Sequence, residues 1–294
     1  MIINLEKKSS FEILECFENL DLKDDYILKI QILESDIENI GYKSWVDIAQ
    51  IYLLKMETPI LNQDGTLILK FTKLNTNSSF HKSVDKTTEK YGVYSEFFNI
   101  DKNSQFSFLY HYIKALEFID IESKQKVLNI GINKGDEFKA IQEILTPTSF
   151  DAKEFIGIDY SQTAIEYAKD NLTAQNYNFL CADINKIDDL NLGKFNLIIS
   201  IGTLQSVNID FKKTFMNLYQ NYLEPDGAIV LGFPNCRWVD GQMIYGASVP
   251  HYNFSELSTV IKDIYFCKKY LQQKNYRVTI TGKDYLFLTA RKLG

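Results

Sequence analysis

Apolar and polar positions change their period along this chain, and the change divides it. Between residues 11 and 56 apolar side chains fall three and four apart, at Phe11, Ile13, Leu14, Phe17 and Leu20 and again at Trp45, Ile48, Ala49, Tyr52 and Leu53. This spacing predicts helices with one buried face each. Pro59-Ile60-Leu61 and Leu67-Ile68-Leu69-Lys70-Phe71 then flank Asn62-Gln63-Asp64-Gly65, a turn-forming cluster that signals a β-hairpin. The polar, aperiodic stretch Asn75-Thr76-Asn77-Ser78-Ser79 marks an expected boundary. Residues 1–75 thus read as an accessory subdomain of helices plus a hairpin. Residues 76–124 read as a linker and a lid helix rich in rings, among them Tyr91, Tyr94, Phe97, Phe98, Phe106, Phe108, Tyr110, Tyr112 and Phe118.

From Lys126 onward, short apolar runs alternate with helical patterns, as in a doubly wound sheet. Strands are predicted at 126–130, 154–158, 178–182, 195–200 and 228–233. Helices are predicted at 136–145, after Ser161, after Asp210 and at 255–273, with Ser161 and Asp210 as N-caps. The run Phe195-Asn196-Leu197-Ile198-Ile199-Ser200 is almost continuously apolar, as a parallel strand covered on both faces requires. Two last strands, 276–280 and 285–289, are joined by Gly282-Lys283-Asp284. The expected fold is α/β: a doubly wound, mostly parallel seven-stranded sheet over 125–294 that ends in an antiparallel hairpin. A smaller α-rich N-terminal subdomain containing a β-hairpin precedes it.

The chemistry concentrates where the first of these strands ends. Val127-Leu128-Asn129-Ile130 runs into Gly131-Ile132-Asn133-Lys134-Gly135, and the second strand, Ile156-Gly157-Ile158, ends in Asp159. A strand, a glycine turn and a following carboxylate that can hold a ribose define a nucleotide-binding unit. A dinucleotide fingerprint needs more glycines, and Asp136 and Glu137 stand where a pyrophosphate would meet the helix N-terminus. A cofactor without phosphate and with a positive centre fits better.

On these residues the chain resembles the class I, Rossmann-like S-adenosylmethionine-dependent methyltransferases. The resemblance continues through Asp183, the apolar fourth strand, the turn Pro225-Asp226-Gly227 and the terminal hairpin. It implies S-adenosyl-L-methionine as cofactor. Asn129, Gly131, Asn133 and Gly135 would lie against the methionine portion, Asp159 and Tyr160 at the ribose, Asp183 and Ile184 at the adenine, and Ser200 and Gly202 near the donor methyl. Three positions depart from the family pattern: Asn129 replaces an acid, Asn133 the middle glycine, and Asn196 an acid. Asparagine is the residue besides glycine that best tolerates left-handed backbone, so the turn can persist. Gln205 and the loop residues Arg237, Trp238 and Tyr245 are candidates for the acceptor pocket, and His251 is the candidate base. Ordinary loop packing accounts equally well for the last four.

Composition narrows the partners. The 294 residues are 45% hydrophobic with net charge −6, which disfavours nucleic acid and favours a small-molecule acceptor. The charge is uneven: residues 1–75 carry 8 Lys/Arg against 13 Asp/Glu, and residues 251–294 carry 8 against 3. A basic C-terminal segment leaves an RNA-modifying enzyme as one alternative, and the substituted turn leaves a non-catalytic donor-binding protein as another. Cys16, Cys181, Cys236 and Cys267 lie far apart, so neither a disulfide framework nor a metal site is expected. Neither a signal peptide nor a membrane-length apolar run is evident, and a cytoplasmic location is expected.

Overall fold

The computed structural model describes residues 2–75, 77–78, 89–206, 208–245 and 257–294. The chain forms two compact units, Met1–Ser83 with Trp238–Tyr245, and Val84–Arg237 with Gly246–Gly294.

The first unit contains β1 (Ile2–Asn4), α1 (Ser10–Glu18), β2 (Ile27–Leu33), α2 (Glu34–Ile40), α3 (Tyr42–Ile51), β3 (Leu54–Met56), β4 (Ile60–Leu61) and β5 (Thr66–Lys73). Its strands form one sheet in the order β1-β2-β5-β3, with β4 also pairing with β5. The expected hairpin is β4–β5, with Ile60 opposite Ile68. The helical reading of 11–56 is corrected over 27–33 and 54–56, which are strands. In Ile27-Leu28-Lys29-Ile30-Gln31-Ile32-Leu33 exposure alternates strictly, with Leu28, Ile30 and Ile32 inside, and three of the seven residues are β-branched isoleucines. The subdomain is therefore α/β. Phe17, Trp45 and Phe71 fill the core between sheet and helices.

The rest of the chain contains α4 (Phe106–Phe118), β6 (Lys126–Ile130), α5 (Asp136–Ile144), α6 (Pro147–Asp151), β7 (Glu154–Asp159), α7 (Gln162–Asn171), β8 (Tyr177–Cys181), β9 (Phe195–Ile201), α8 (Phe211–Asn217), β10 (Leu223–Pro234), β11 (Cys236–Val239), β12 (Gln242–Tyr245), α9 (Leu257–Gln272), β13 (Tyr276–Gly282) and β14 (Tyr285–Lys292). By the division above, most of β11 and β12 falls to the first unit. Seven strands make one sheet in the order β13-β14-β10-β9-β6-β7-β8. Strands β6 to β10 pair in parallel, and β14 runs antiparallel to both β10 and β13. This is the expected seven-stranded sheet with its terminal hairpin. The path goes from β6 outward to β8 and then returns to β9 on the other side of β6. Ligands of such sheets bind at the carboxyl ends of the strands where the order reverses, here β6 and β9.

Both faces of the sheet are covered. Phe108, Tyr112, Phe138 and Phe155 pack on one side, and Ile198, Phe215, Cys267 and Leu271 on the other. Two elements differ from expectation. β10 begins at Leu223, with a register shift between Leu223 and Ala228, so the Pro225-Asp226-Gly227 turn lies within the strand. The expected loop at Arg237, Trp238 and Tyr245 instead folds into the hairpin β11–β12 around Asp240 and Gly241, both at positive φ.

Candidate functional site

The turn after β6 is held in left-handed geometry at three points: Gly131 (φ 77°), Asn133 (φ 45°) and Gly135 (φ 87°). A Cβ on Gly131 would lie 1.8 Å from the Thr203 hydroxyl, so the segment following β9 crosses directly over this turn. A Cβ on Gly135 would meet Leu172 at 2.2 Å. The N–H groups of Gly131 and Ile132 both donate to the carbonyl of Ile158, at 2.8 and 3.1 Å.

Asp159 ends β7 beside this turn. Its carboxylate accepts the Asn133 N–H at 2.8 Å and the Ser161 N–H at 3.0 Å. Burial raises its pKa, opposed by the backbone donors of Ser161, Asn133 and Tyr160. Asn133 thus serves twice, because its side-chain amide also donates to the Tyr91 carbonyl at 2.7 Å. The segment 89–100 is fastened at further points. Lys134 donates to the Phe98 carbonyl at 3.2 Å, and Glu89 accepts from the Ser161 hydroxyl at 2.9 Å and the Gln162 N–H at 3.1 Å. Thr163 also donates its hydroxyl to Glu89. A carboxylate at the N-terminus of α7 meets unpaired amides and the positive end of the helix dipole.

A buried charge cluster lies under the same segment. Lys102, 6% exposed, donates to Glu137 at 2.9 Å, and Glu137 is itself 1% exposed. Burial opposes the charge on Lys102, but Glu137, Asp136 and Asp159 outweigh it and its pKa rises. Burial raises the pKa of Asp136, with Lys102 opposing. Asn129 is fully buried, and its amide reaches the second oxygen of Glu137 only at 3.5 Å. The Asn129 carbonyl oxygen has no hydrogen-bond partner among the described residues.

The remaining predicted positions are spread around the strand ends. Ser200 donates to the Ile130 carbonyl at 3.2 Å, bridging β9 to β6. Gly202 sits at φ 77°, with its N–H on the Gly232 carbonyl at 2.8 Å. Tyr160 is half exposed, and Ile184 is buried. Asp183 uses one oxygen on Asn185, accepting its N–H at 2.9 Å and its amide at 3.0 Å. Gln205 is 5% exposed; its amide acts on the Asp263 carboxylate, yet among the described residues neither amide atom makes a well-formed hydrogen bond. Arg237 has a buried Nε with no partner among the described residues, whereas Trp238 is buried and, with Tyr245, belongs to the first unit. The side chain of Tyr245 and all of His251 lie outside the described residues. Among the described residues, no group of three or more His, Cys, Asp or Glu is arranged to hold a metal, and no helix is long and apolar enough to cross a membrane.

Sequence reasoning missed Lys102, Glu89, Thr203 and the true place of Glu137. The signal for Lys102 was weak but present: Asp101-Lys102-Asn103 interrupts an aromatic stretch. Several rings of that stretch proved to be ordinary core, with Phe108 and Tyr112 stacked against each other and packed on Phe287.

Residues 121–279, more than half of the chain, match the family described as methyltransferase domain, and the chain belongs to that family. The matched part is a methyltransferase domain of the class I, S-adenosylmethionine-dependent type. A malonyl-[acyl-carrier protein] O-methyltransferase of Acetivibrio thermocellus is 33% identical over 116 residues, 39% of this chain and 38% of that protein. The match therefore spans little more than a third of this relative's length. Among solved structures, the plantazolicin methyltransferase BpumL in complex with SAH aligns with TM-score 0.50 and 15% identity, over 74% of this chain and 95% of its own. A SAM-dependent methyltransferase from Aquifex aeolicus aligns with TM-score 0.48 and 15% identity, over 70% and 98%.

The residues present suit this donor, which carries a sulfonium, an ammonium and a carboxylate. Asp136, Glu137 and Asp159 carry one more charge than Lys102 and Lys134, the two cations paired with them, and the Asn129 oxygen is an unused acceptor among the described residues. Asp159 would take the ribose hydroxyls, and the backbone of 131–135 the methionine portion.

Proposed function

We propose that this methyltransferase acts on a small-molecule acceptor that enters at the carboxyl ends of β9 and β10. The observation that carries this reading is Gln205. It is buried three residues beyond Gly202, on the segment whose Thr203 covers the glycine turn, and its amide lacks a well-formed partner. A buried amide without good hydrogen bonds costs about 1–3 kcal/mol, which a bound polar group would recover. The acidic balance of the chain disfavours a nucleic-acid acceptor.

The donor supplies an electrophilic methyl group, and transfer is an in-line displacement. What the chain contributes is alignment and exclusion of water, which is most of what such a reaction needs. Thr203 and Gly131 fix the donor side of the pocket, and Gln205 orients the acceptor. His251 serves as base only for an acceptor that must lose a proton.

The test is label transfer. The protein is incubated with S-adenosylmethionine carrying a labelled methyl and with a cell extract divided into small-molecule, RNA and protein fractions. Label in the small-molecule fraction is the expected result, with Gln205→Leu lowering it. Label confined to RNA or to protein overturns the reading.

A further inference from the structure

Position 129 is where a carboxylate is expected to face the donor's ammonium, and this chain has an amide there. A carboxylate from the next helix lies beside it. Glu137 is carried on the first turn of α5, one residue after Asp136, and its carboxylate lies at the end of β6 against the Asn129 amide. One of its oxygens is taken by Lys102 at 2.9 Å. The other has only the 3.5 Å approach of the Asn129 amide, at the limit of a hydrogen bond. Beside it the Asn129 carbonyl oxygen has no partner. Two adjacent acceptors, one of them charged, are thus closed to solvent and short of donors. An ammonium brings three donors and one positive charge.

We propose that Glu137 and Asn129 together bind the α-ammonium of the donor, with Glu137 supplying the charge that residue 129 lacks and Lys102 positioning it through its other oxygen. This rests on S-adenosylmethionine being the donor and is independent of the acceptor. The electrostatics favour it. Two cations answer the three carboxylates of Asp136, Glu137 and Asp159, Lys102 on Glu137 at 2.9 Å and Lys134 at 4.0 Å from Asp136, and a charge interaction out of water is much stronger than at the surface. Lys102 belongs to the stretch that continues from the segment fastened by Glu89, Asn133 and Lys134, so ammonium binding and the closure of that stretch share a partner.

The experiment compares two ligands by calorimetry: S-adenosylhomocysteine, and 5′-methylthioadenosine, which lacks the amino-acid end. In Glu137→Gln the preference for S-adenosylhomocysteine is expected to fall at least tenfold while methylthioadenosine binds as before. Adding Asn129→Asp to that variant is expected to restore most of the preference, because the charge returns to the strand. Lys102→Gln combined with Glu137→Gln leaves no stranded buried charge and is expected to lose the preference even if the single variant fails to fold. An unchanged preference in these variants, or an equal loss for both ligands, overturns the proposal. If the unaltered protein binds neither ligand, the donor assignment itself has failed.

Discussion

Asn133 and Asp159 are joined by a 2.8 Å hydrogen bond from the backbone of the first to the carboxylate of the second, while the Asn133 side chain holds Tyr91 at 2.7 Å. One residue therefore ties the Asp159 carboxylate to the segment at Tyr91.

Replacing Asn133 tests this division. Asn133→Gly relieves a left-handed non-glycine backbone, worth about 1 kcal/mol, and loses one hydrogen bond worth about 1 kcal/mol. Thermal stability is expected to change little, whereas amide exchange over 89–100 accelerates. Asn133→Ala loses the bond and keeps the strained backbone, so its unfolding midpoint should fall clearly below that of the glycine variant. Equal exchange in all three proteins would sever Asn133 from the segment.

With the ribose held on Asp159 by two charge-assisted hydrogen bonds, as the resemblance implies, Asp159→Ala removes both, each worth about 1.5–3 kcal/mol. Donor affinity is expected to drop by roughly two to four orders of magnitude in calorimetry. The backbone amides of Asn133 and Ser161 also lose their acceptor, so the free protein should melt earlier. Near-normal affinity would remove Asp159 from the site.

Burial raises the pKa of Asp136 and of Asp159 in the folded protein. For a carboxyl raised on folding, the contribution to stability is fully present below the unfolded value and is lost as pH rises through the folded value. Neutral pH is therefore the costly side for these two groups. Asp136→Asn is expected to raise the melting temperature of the donor-free protein at pH 7 and to have little effect near pH 4. Donor affinity should run the other way, weakening as the pH falls into the range where these carboxylates take up protons. A melting difference independent of pH would contradict the assignment.

Gly131→Ala is expected to be severe. The new Cβ would collide with Thr203 at 1.8 Å, and φ of 77° disfavours any side chain by about 1–2 kcal/mol. Pairing it with Thr203→Gly removes the collision but not the backbone strain, so only part of the lost stability should return. Complete recovery in thermal unfolding would mean that the backbone at 131 relaxes.

The sheet of the second unit was legible because its signals are local. Runs such as Phe195–Ser200 and caps such as Ser161 and Asp210 act within a few residues, and the caps bond as predicted, to Ala164 and Lys213. That a strand ends at Asp159 was legible from the apolar run before it. Glu137 and Lys102 were not, because a charge 35 residues from its partner looks like a solvated one until the fold closes over both. Strand β2 was hidden for another reason. Its seven residues were absorbed into a helical window, although their alternation and their isoleucines favour a strand. The hairpin β11–β12 was missed because its turn, Asp240-Gly241, was taken as part of a longer loop.

That hairpin also bears on how the protein is made. Val239 and Ile244 pack on Leu74, Met243 accepts from the Gln50 amide at 3.3 Å, and Asp240 accepts from the Asn75 N–H at 3.0 Å. The ribosome delivers the five strands of the first unit early, but the pieces that finish it arrive only after most of the second sheet has been synthesised. The amino-terminal portion must wait, incomplete, for its own last segment, and cutting the gene after residue 83 would leave that segment behind.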